Sequence, residues 1–159
     1  MAKQKPGSVA FSSPGNGSPA HLAGELIKTK AGLEMVHVPY KGGGPAVNDM
    51  LSGQVAFTLA TPAEIMPHVR DGRARALAVT TASRTSLAPG VPTVAEGGIA
   101  GYEMTVWYGI TVPSGTPPAI VSRLEREFGA AMKLPEVRER MTSLGLDLTP
   151  LGAAEFGQF

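Results

Sequence analysis

The segment from Ser12 to Ser18 is the part of this sequence best suited to chemistry. An apolar stretch (9–11) leads into small polar residues and two glycines, and Pro19 follows Ser18. Serine is a preferred helix N-cap and proline a preferred first helical residue, so the pattern predicts a strand, a turn and a helix start. Free N–H groups and the positive dipole end of a helix attract anions. We predict a carboxylate or phosphate site with at least two free amides, although a capped turn that binds nothing fits the pattern equally well.

A second glycine-rich turn, Lys41-Gly42-Gly43-Gly44, stands between the next predicted strand and helix. The carboxyl ends of parallel strands meet at one edge of a sheet, so the two turns should lie side by side. The second turn is not a P-loop, because its lysine precedes the glycines. Glycines that only ease helix entry would give the same pattern. The predicted ligand-binding residues are Ser12, Ser13, Gly15, Asn16, Gly17, Ser18, Lys41, Gly42 and Gly43.

Catalytic and cofactor sites have weaker support. Ser13, His21 and Asp49 could form a serine–histidine–carboxylate triad on paper, but the G-x-S-x-G elbow is missing. Residues 15–20 match the dinucleotide fingerprint G-x-G-x-x-A, but Pro19 interrupts it and no ribose-binding carboxylate ends the next strand. The histidines lack metal-ligand spacing. We therefore expect no cofactor, no metal and no catalysis.

Alternating strands and helices position these turns. Strands are predicted at 9–11, 35–40, 55–59 and 75–80, and helices open at Ser18, after Gly44 and at Pro62. This alternation predicts a largely parallel sheet with right-handed crossovers. A long loop follows, with one helical turn at 93–96. The remaining predictions are a strand at 106–112, helices at 118–132 and around Val137, and a strand at 146–148.

Composition excludes several classes of protein. The 159 residues are 43% hydrophobic, which suits one globular domain. Fourteen basic and 13 acidic residues leave a net charge of +1, and the scattered basic residues argue against nucleic-acid binding. No cysteine is present, and no apolar run reaches membrane-spanning length. The basic start lacks the apolar stretch of a signal peptide, and we expect both ends to belong to a longer chain.

Several ordered segments together resemble a known family. They are His37-Val38-Pro39-Tyr40-Lys41-Gly42, residues 49–55, 75–80 and 91–96, Trp107-Tyr108-Gly109, and residues 113–117 and 135–138. From about Pro6 to its last residues the chain resembles the substrate-binding receptors of tripartite tricarboxylate transporters, the Bug family. In that family, the loop matching Ser12 to Ser18 supplies backbone donors to a ligand carboxylate.

The resemblance implies a two-lobed periplasmic binding protein that closes on small carboxylates and delivers them to a membrane permease. It implies a three-layer α/β lobe of the type II periplasmic-binding-protein kind with a mostly parallel sheet. Residues 7–105 would form the second, ligand-binding lobe. Residues 106–159 would form a hinge strand and C-terminal helices of an incomplete first lobe.

We therefore expect a non-catalytic receptor fragment, periplasmic by resemblance, whose ligand is a small carboxylate or dicarboxylate. The permease would be a partner of the full receptor. A homodimer or domain swap would cover the apolar face of the C-terminal helix. The main alternative is a small α/β enzyme, esterase-like or nucleotide-using, with an anion-binding loop. An enzyme needs a base oriented near its nucleophile, whereas a receptor lobe needs only N–H donors and a hinge.

Overall fold

A parallel three-stranded sheet forms the centre of the computed structural model, which describes residues 2–158. The central strand β1 (Ala10–Ser13) pairs with β2 (Val36–Pro39) on one side and with β3 (Phe57–Thr58) on the other. The helices α1 (Pro19–Ala31), α2 (Gly43–Leu51) and α3 (Pro62–Arg70) follow the three strands in turn. The predicted α/β fold with a parallel sheet is confirmed.

The side chains of β1 place α1 and α2 on opposite faces of the sheet. Phe11 is fully buried and lies directly against Gly24 of α1. The next residue, Ser12, donates its hydroxyl hydrogen to the backbone oxygen of Ala46 in α2 at 2.9 Å. Successive strand residues point to opposite faces, so each face of β1 is covered by one helix. This arrangement gives the three layers.

Helix α1 begins and ends where its local sequence directs. Ser18 Oγ accepts the His21 N–H at 3.2 Å, and Pro19 is the first helical residue. Gly32 ends the helix in the left-handed conformation, with φ of 60°, and its N–H bonds to the oxygen of Lys28. A residue with a side chain is strained in that conformation, which favours glycine.

Three predicted strands are wrong for the described residues. Residues 75–80 form a single bridge, between Val79 and Thr93, and Leu77 is 66% exposed. Residues 106–112 and 146–148 form no strand. A strand is stable only where a neighbour satisfies its backbone N–H and C=O groups. Of residues 75–80, only Val79 and Thr80 form such backbone hydrogen bonds within residues 2–158.

The chain divides into two compact units, the first ending at Val106 and the second beginning at Trp107. Near the end of the first unit, Tyr102 is fully buried and its hydroxyl donates to the backbone oxygen of Ala23 at 3.0 Å. This bond holds the end of the long loop against α1.

The second unit is helical and exposes much apolar surface. It contains α4 (Pro118–Ala131), α5 (Pro135–Ser143) and α6 (Ala153–Phe156). Exposed apolar side chains of this unit include Trp107, Tyr108, Ile110, Val112, Ile120 and Phe128. None of the helices in the described part of the chain is both long and apolar enough to cross a membrane.

Two helical glycines test the contact between α1 and β1. A Cβ at Gly24 would overlap the Phe11 ring, so Gly24→Ala should lower the free energy of unfolding by about 1–3 kcal/mol. Gly129 in α4 has open space around it, so Gly129→Ala should raise that free energy by roughly 0.5–1 kcal/mol. Urea denaturation followed by circular dichroism measures both. Changes of the same sign in the two variants would contradict the packing account.

Candidate functional site

The loop after β1 is held in one shape by its own hydrogen bonds. Ser18 donates to the Gly15 oxygen through its hydroxyl at 2.7 Å and through its N–H at 3.3 Å. Gly15 N–H donates to Ser13 Oγ at 3.2 Å. Gly17 has φ of 73°, a left-handed value that favours glycine. The loop at the carboxyl end of β1 therefore has a defined shape.

Two amides of this loop and of the first turn of α1 are free. Asn16 N–H and Ala20 N–H donate to no group among residues 2–158, and Asn16 is exposed. Ala20 lies at the positive end of the α1 dipole. The sequence predicts at least two free amides within Ser12 to Ser18, but among residues 14–18 only the Asn16 N–H is free, and the second free amide, Ala20 N–H, lies beyond that segment in α1. That a ligand uses them stays a prediction.

Two stacked histidines lie beside the loop, an arrangement that the sequence pattern did not reveal. The rings of His21 and His37 have centroids 3.9 Å apart and an interplanar angle of 19°. His37 Nε2 lies 2.7 Å from Ser13 Oγ, and Gly17 N–H donates to His21 Nδ1 at 3.0 Å. The available signal was the strand register, in which Phe11 pairs with His37, so both side chains face α1.

Burial lowers the pKa of His37, and the neighbouring His21 lowers it further. Glu25 raises the pKa of His37, and Lys28 lowers it. Desolvation disfavours a charged ring, and two imidazolium rings in stacking contact would repel each other. The environment of His37 therefore favours its neutral form.

The triad that the sequence allowed on paper does not form. The Asp49 carboxylate accepts the Tyr40 hydroxyl at 2.7 Å, which raises the pKa of Tyr40. Ser13 pairs with His37 instead of His21, but it is fully buried and its hydroxyl also bonds to the Gly15 oxygen at 3.1 Å. No carboxylate of the described residues hydrogen-bonds to His37. A nucleophile needs access to substrate and an oriented base, and this serine lacks the first.

The second glycine-rich loop lies beside the first, as the strand order requires. Gly42 N–H donates to the Pro14 oxygen, and Tyr40 N–H to the Ser13 oxygen, both at 3.0 Å. Lys41 is exposed and takes part in no ion pair within residues 2–158. Its ammonium group is therefore available to an anion.

A carboxylate of the protein already occupies the N-terminal end of α2. The Glu64 side chain lies directly against Gly43, and it also accepts the Thr61 N–H at 3.0 Å. This contact between α2 and α3 is long-range, and no local pattern indicated it. Since a negative group at a helix N-terminus compensates the dipole, Gly43 is less suited to an external anion than the first loop.

The strand order adds a third loop to the candidate site. The connection after β1 runs to β2 on one side of it, whereas β3 lies on the other side of β1. The connections therefore diverge at the carboxyl ends of the neighbouring strands β1 and β3. Ligands of open α/β sheets bind at such points. The segment 59–61 after β3 lies there, with Leu59 N–H 3.4 Å from the Ser12 oxygen. The described part of the chain contains no group of three side chains placed to hold a metal ion.

Comparison with known proteins gives a consistent result. The model of the tripartite tricarboxylate transporter family receptor matches residues 1–159. The protein BugT of Bordetella pertussis is 38% identical over 145 residues, which are 91% of this chain and 44% of BugT. The solved structure of R. palustris Rpa4515 with adipate is 32% identical, with a TM-score of 0.84 over 99% of this chain and 52% of that one.

MatC from Rhodopseudomonas palustris, solved with bound malate, is 29% identical, with a TM-score of 0.71 over 87% of this chain and 47% of MatC. The chain spans less than half the length of BugT and of two further curated relatives, from Pseudomonas sp. and Agrobacterium vitis. The similarity therefore extends over almost the whole of this chain but over only part of each relative.

Proposed function

The chain belongs to the tripartite tricarboxylate transporter receptor family, and we propose that it is the carboxylate-binding part of a solute receptor. The observation that carries this proposal is the pair of free amides, Asn16 N–H and Ala20 N–H, at the positive end of α1. Such a pair suits the two oxygens of a carboxylate. The adipate and malate bound by Rpa4515 and MatC suggest a dicarboxylate of similar size as ligand.

The predicted site residues take different roles in this proposal. Asn16 and the first turn of α1 bind the ligand carboxylate directly, and Lys41 supplies positive charge beside it. Ser13 and Ser18 hold the loop in shape through their hydroxyl groups. The remaining predicted residues contribute backbone conformation or packing: Ser12 beneath α2, Gly15 and Gly17 in the first loop, and Gly42 and Gly43 in the second.

We assign residues 7–105 to the ligand-binding lobe and 106–159 to the hinge strand and C-terminal helices of the other lobe. This assignment rests on the family, and the division of the chain at Val106 is compatible with it. The full receptor would act in the periplasm and deliver its ligand to a membrane permease.

Catalysis has no place in this proposal. Ser13 and His37 are within hydrogen-bonding distance, but the serine is buried, and no carboxylate of residues 2–158 bonds to the histidine. A receptor in a transporter has no use for turnover, and the free amides bind an anion without it. The esterase-like alternative would need Ser13 to reach substrate.

A charge change at Ser18 separates binding from folding. Asp and Asn are both good N-caps, so Ser18→Asp and Ser18→Asn should each keep the free energy of unfolding within about 1 kcal/mol of the wild type. Ser18→Asp places a negative charge beside Asn16 and Ala20 and should abolish adipate binding, whereas Ser18→Asn should retain it. Chemical-shift titration with adipate, followed at the two amides, measures both.

The wild-type affinity for adipate should be weak. Two or three charge-assisted hydrogen bonds contribute about 1.5–3 kcal/mol each. They must offset roughly 4–15 kcal/mol of lost ligand freedom. We expect a Kd of about 1 mM or weaker, equivalent to about 4 kcal/mol. A micromolar Kd, or equal binding by both Ser18 variants, would contradict the half-receptor account.

The proposed receptor should not hydrolyse esters or phosphoesters. Because Ser13 is inaccessible, the wild type and Ser13→Ala should show the same background rate with chromogenic esters of short acids. A steady wild-type rate that Ser13→Ala and His37→Gln both remove would assign the chain to the enzyme class.

The exposed apolar surface of the second unit should mediate self-association of this chain. This unit exposes many large apolar side chains, and extensive apolar surface is rarely left uncovered on monomers, so we expect a dimer at micromolar concentration. Ile110→Asp should shift the mass measured by light scattering toward the monomer, whereas Thr111→Asp, at the adjacent exposed position, should not. A wild type that is monomeric at all concentrations would refute this prediction.

A further inference from the structure

His21 controls one amide of the loop through a hydrogen bond that depends on its protonation state. Gly17 N–H donates to His21 Nδ1 at 3.0 Å, so this nitrogen carries no proton in the structure. A protonated imidazole has N–H groups at both nitrogens and no acceptor. The bond to Gly17 therefore cannot coexist with a charged ring.

Solvent and a carboxylate lie next to the His21 ring. Its side chain is 22% exposed, so water reaches it, and its Nε2 lies 3.8 Å from Glu25 Oε1. The same carboxylate oxygen bonds to Lys28 at 2.8 Å, which reduces but does not remove its attraction for a charged ring. Of the strands packed against α1, β1 has no titratable side chain and β2 contributes only His37.

The stacking contact makes it unfavourable for both rings to be charged at once. Two charged rings with centroids 3.9 Å apart would repel, and the His37 ring packs against Phe11 with centroids 5.0 Å apart. Burial and the neighbouring His21 lower the pKa of His37. Of the two rings, His21 is the one that accepts the Gly17 N–H and the one that lies beside Glu25.

We propose that His21 is a positioning residue that works as a proton-operated latch: the neutral ring holds the Gly17 amide, and the protonated ring releases it to join Asn16 and Ala20. Release adds a third N–H donor and one positive charge next to the carboxylate site. Carboxylate binding then strengthens as the pH falls. This consequence rests on the proposed function, whereas the latch itself does not.

The latch is tested first without ligand. We expect the Gly17 amide resonance to shift, and its hydrogen-exchange protection factor to fall, as the pH is lowered from about 8 to about 6. The titration of the His21 ring nitrogens should follow the same curve. A Gly17 amide that keeps its shift and protection across this range would overturn the inference, whatever the ligand does.

The second arm measures adipate affinity with matched variants. Wild-type affinity should rise about threefold or more between about pH 8 and about pH 6. His21→Gln keeps a neutral acceptor at this helical position and should make both the Gly17 resonance and the affinity independent of pH. His68→Gln, which changes a histidine on α3, should behave as the wild type does.

The outcomes distinguish the latch from the receptor proposal. If adipate binds at neither pH, the receptor proposal fails and the ligand-free Gly17 titration alone decides the latch. A wild-type affinity that is flat with pH, or a His21→Gln variant that retains the wild-type pH dependence, would overturn the inference.

Discussion

The close approach of α1 to the central strand determines where the helix and the loop before it lie in the first unit. Phe11 packs where a side chain at Gly24 would otherwise stand, so the helix lies almost on the strand. That contact fixes the height of the helix over the sheet and aims its first turn at the carboxyl end of β1. The loop from Pro14 to Ser18 must then close in few residues, which explains its two glycines with left-handed or extended backbone and its dense internal hydrogen bonding.

Local signals made part of this structure predictable. Helix α1 begins at Ser18 and Pro19, where the Ser18 hydroxyl accepts a backbone N–H of the first turn, and it ends at Gly32. These signals involve only residues that are neighbours in sequence. The glycine-rich turns after β1 and β2 were predictable too, because glycine is a local signal for a turn. Contacts between distant residues were not predictable in this way. The stacking of His21 on His37 depends on strand register, and the approach of Glu64 to Gly43 depends on how two helices cross.

The strand predictions failed for a different physical reason. The segments at 75–80 and 106–112 have the alternating or β-branched composition of strands, but composition alone does not form a strand. A strand also needs a neighbour that accepts and donates backbone hydrogen bonds, and within residues 2–158 the segment 75–80 has such bonds only at Val79 and Thr80. The pairing of such segments depends on residues distant in sequence, which local composition does not indicate.

Tyr102 ties the end of the first unit to α1. Its buried hydroxyl donates a hydrogen bond to the Ala23 oxygen of α1. Tyr102 lies four residues before Val106, where the unit ends. The Met104 N–H donates to the Thr80 oxygen at 2.8 Å, so the last residues of the unit are fixed both to α1 and to the segment 75–80. The exit of the first unit is thus tied by one buried hydrogen bond to the helix whose first turn carries the free Ala20 amide.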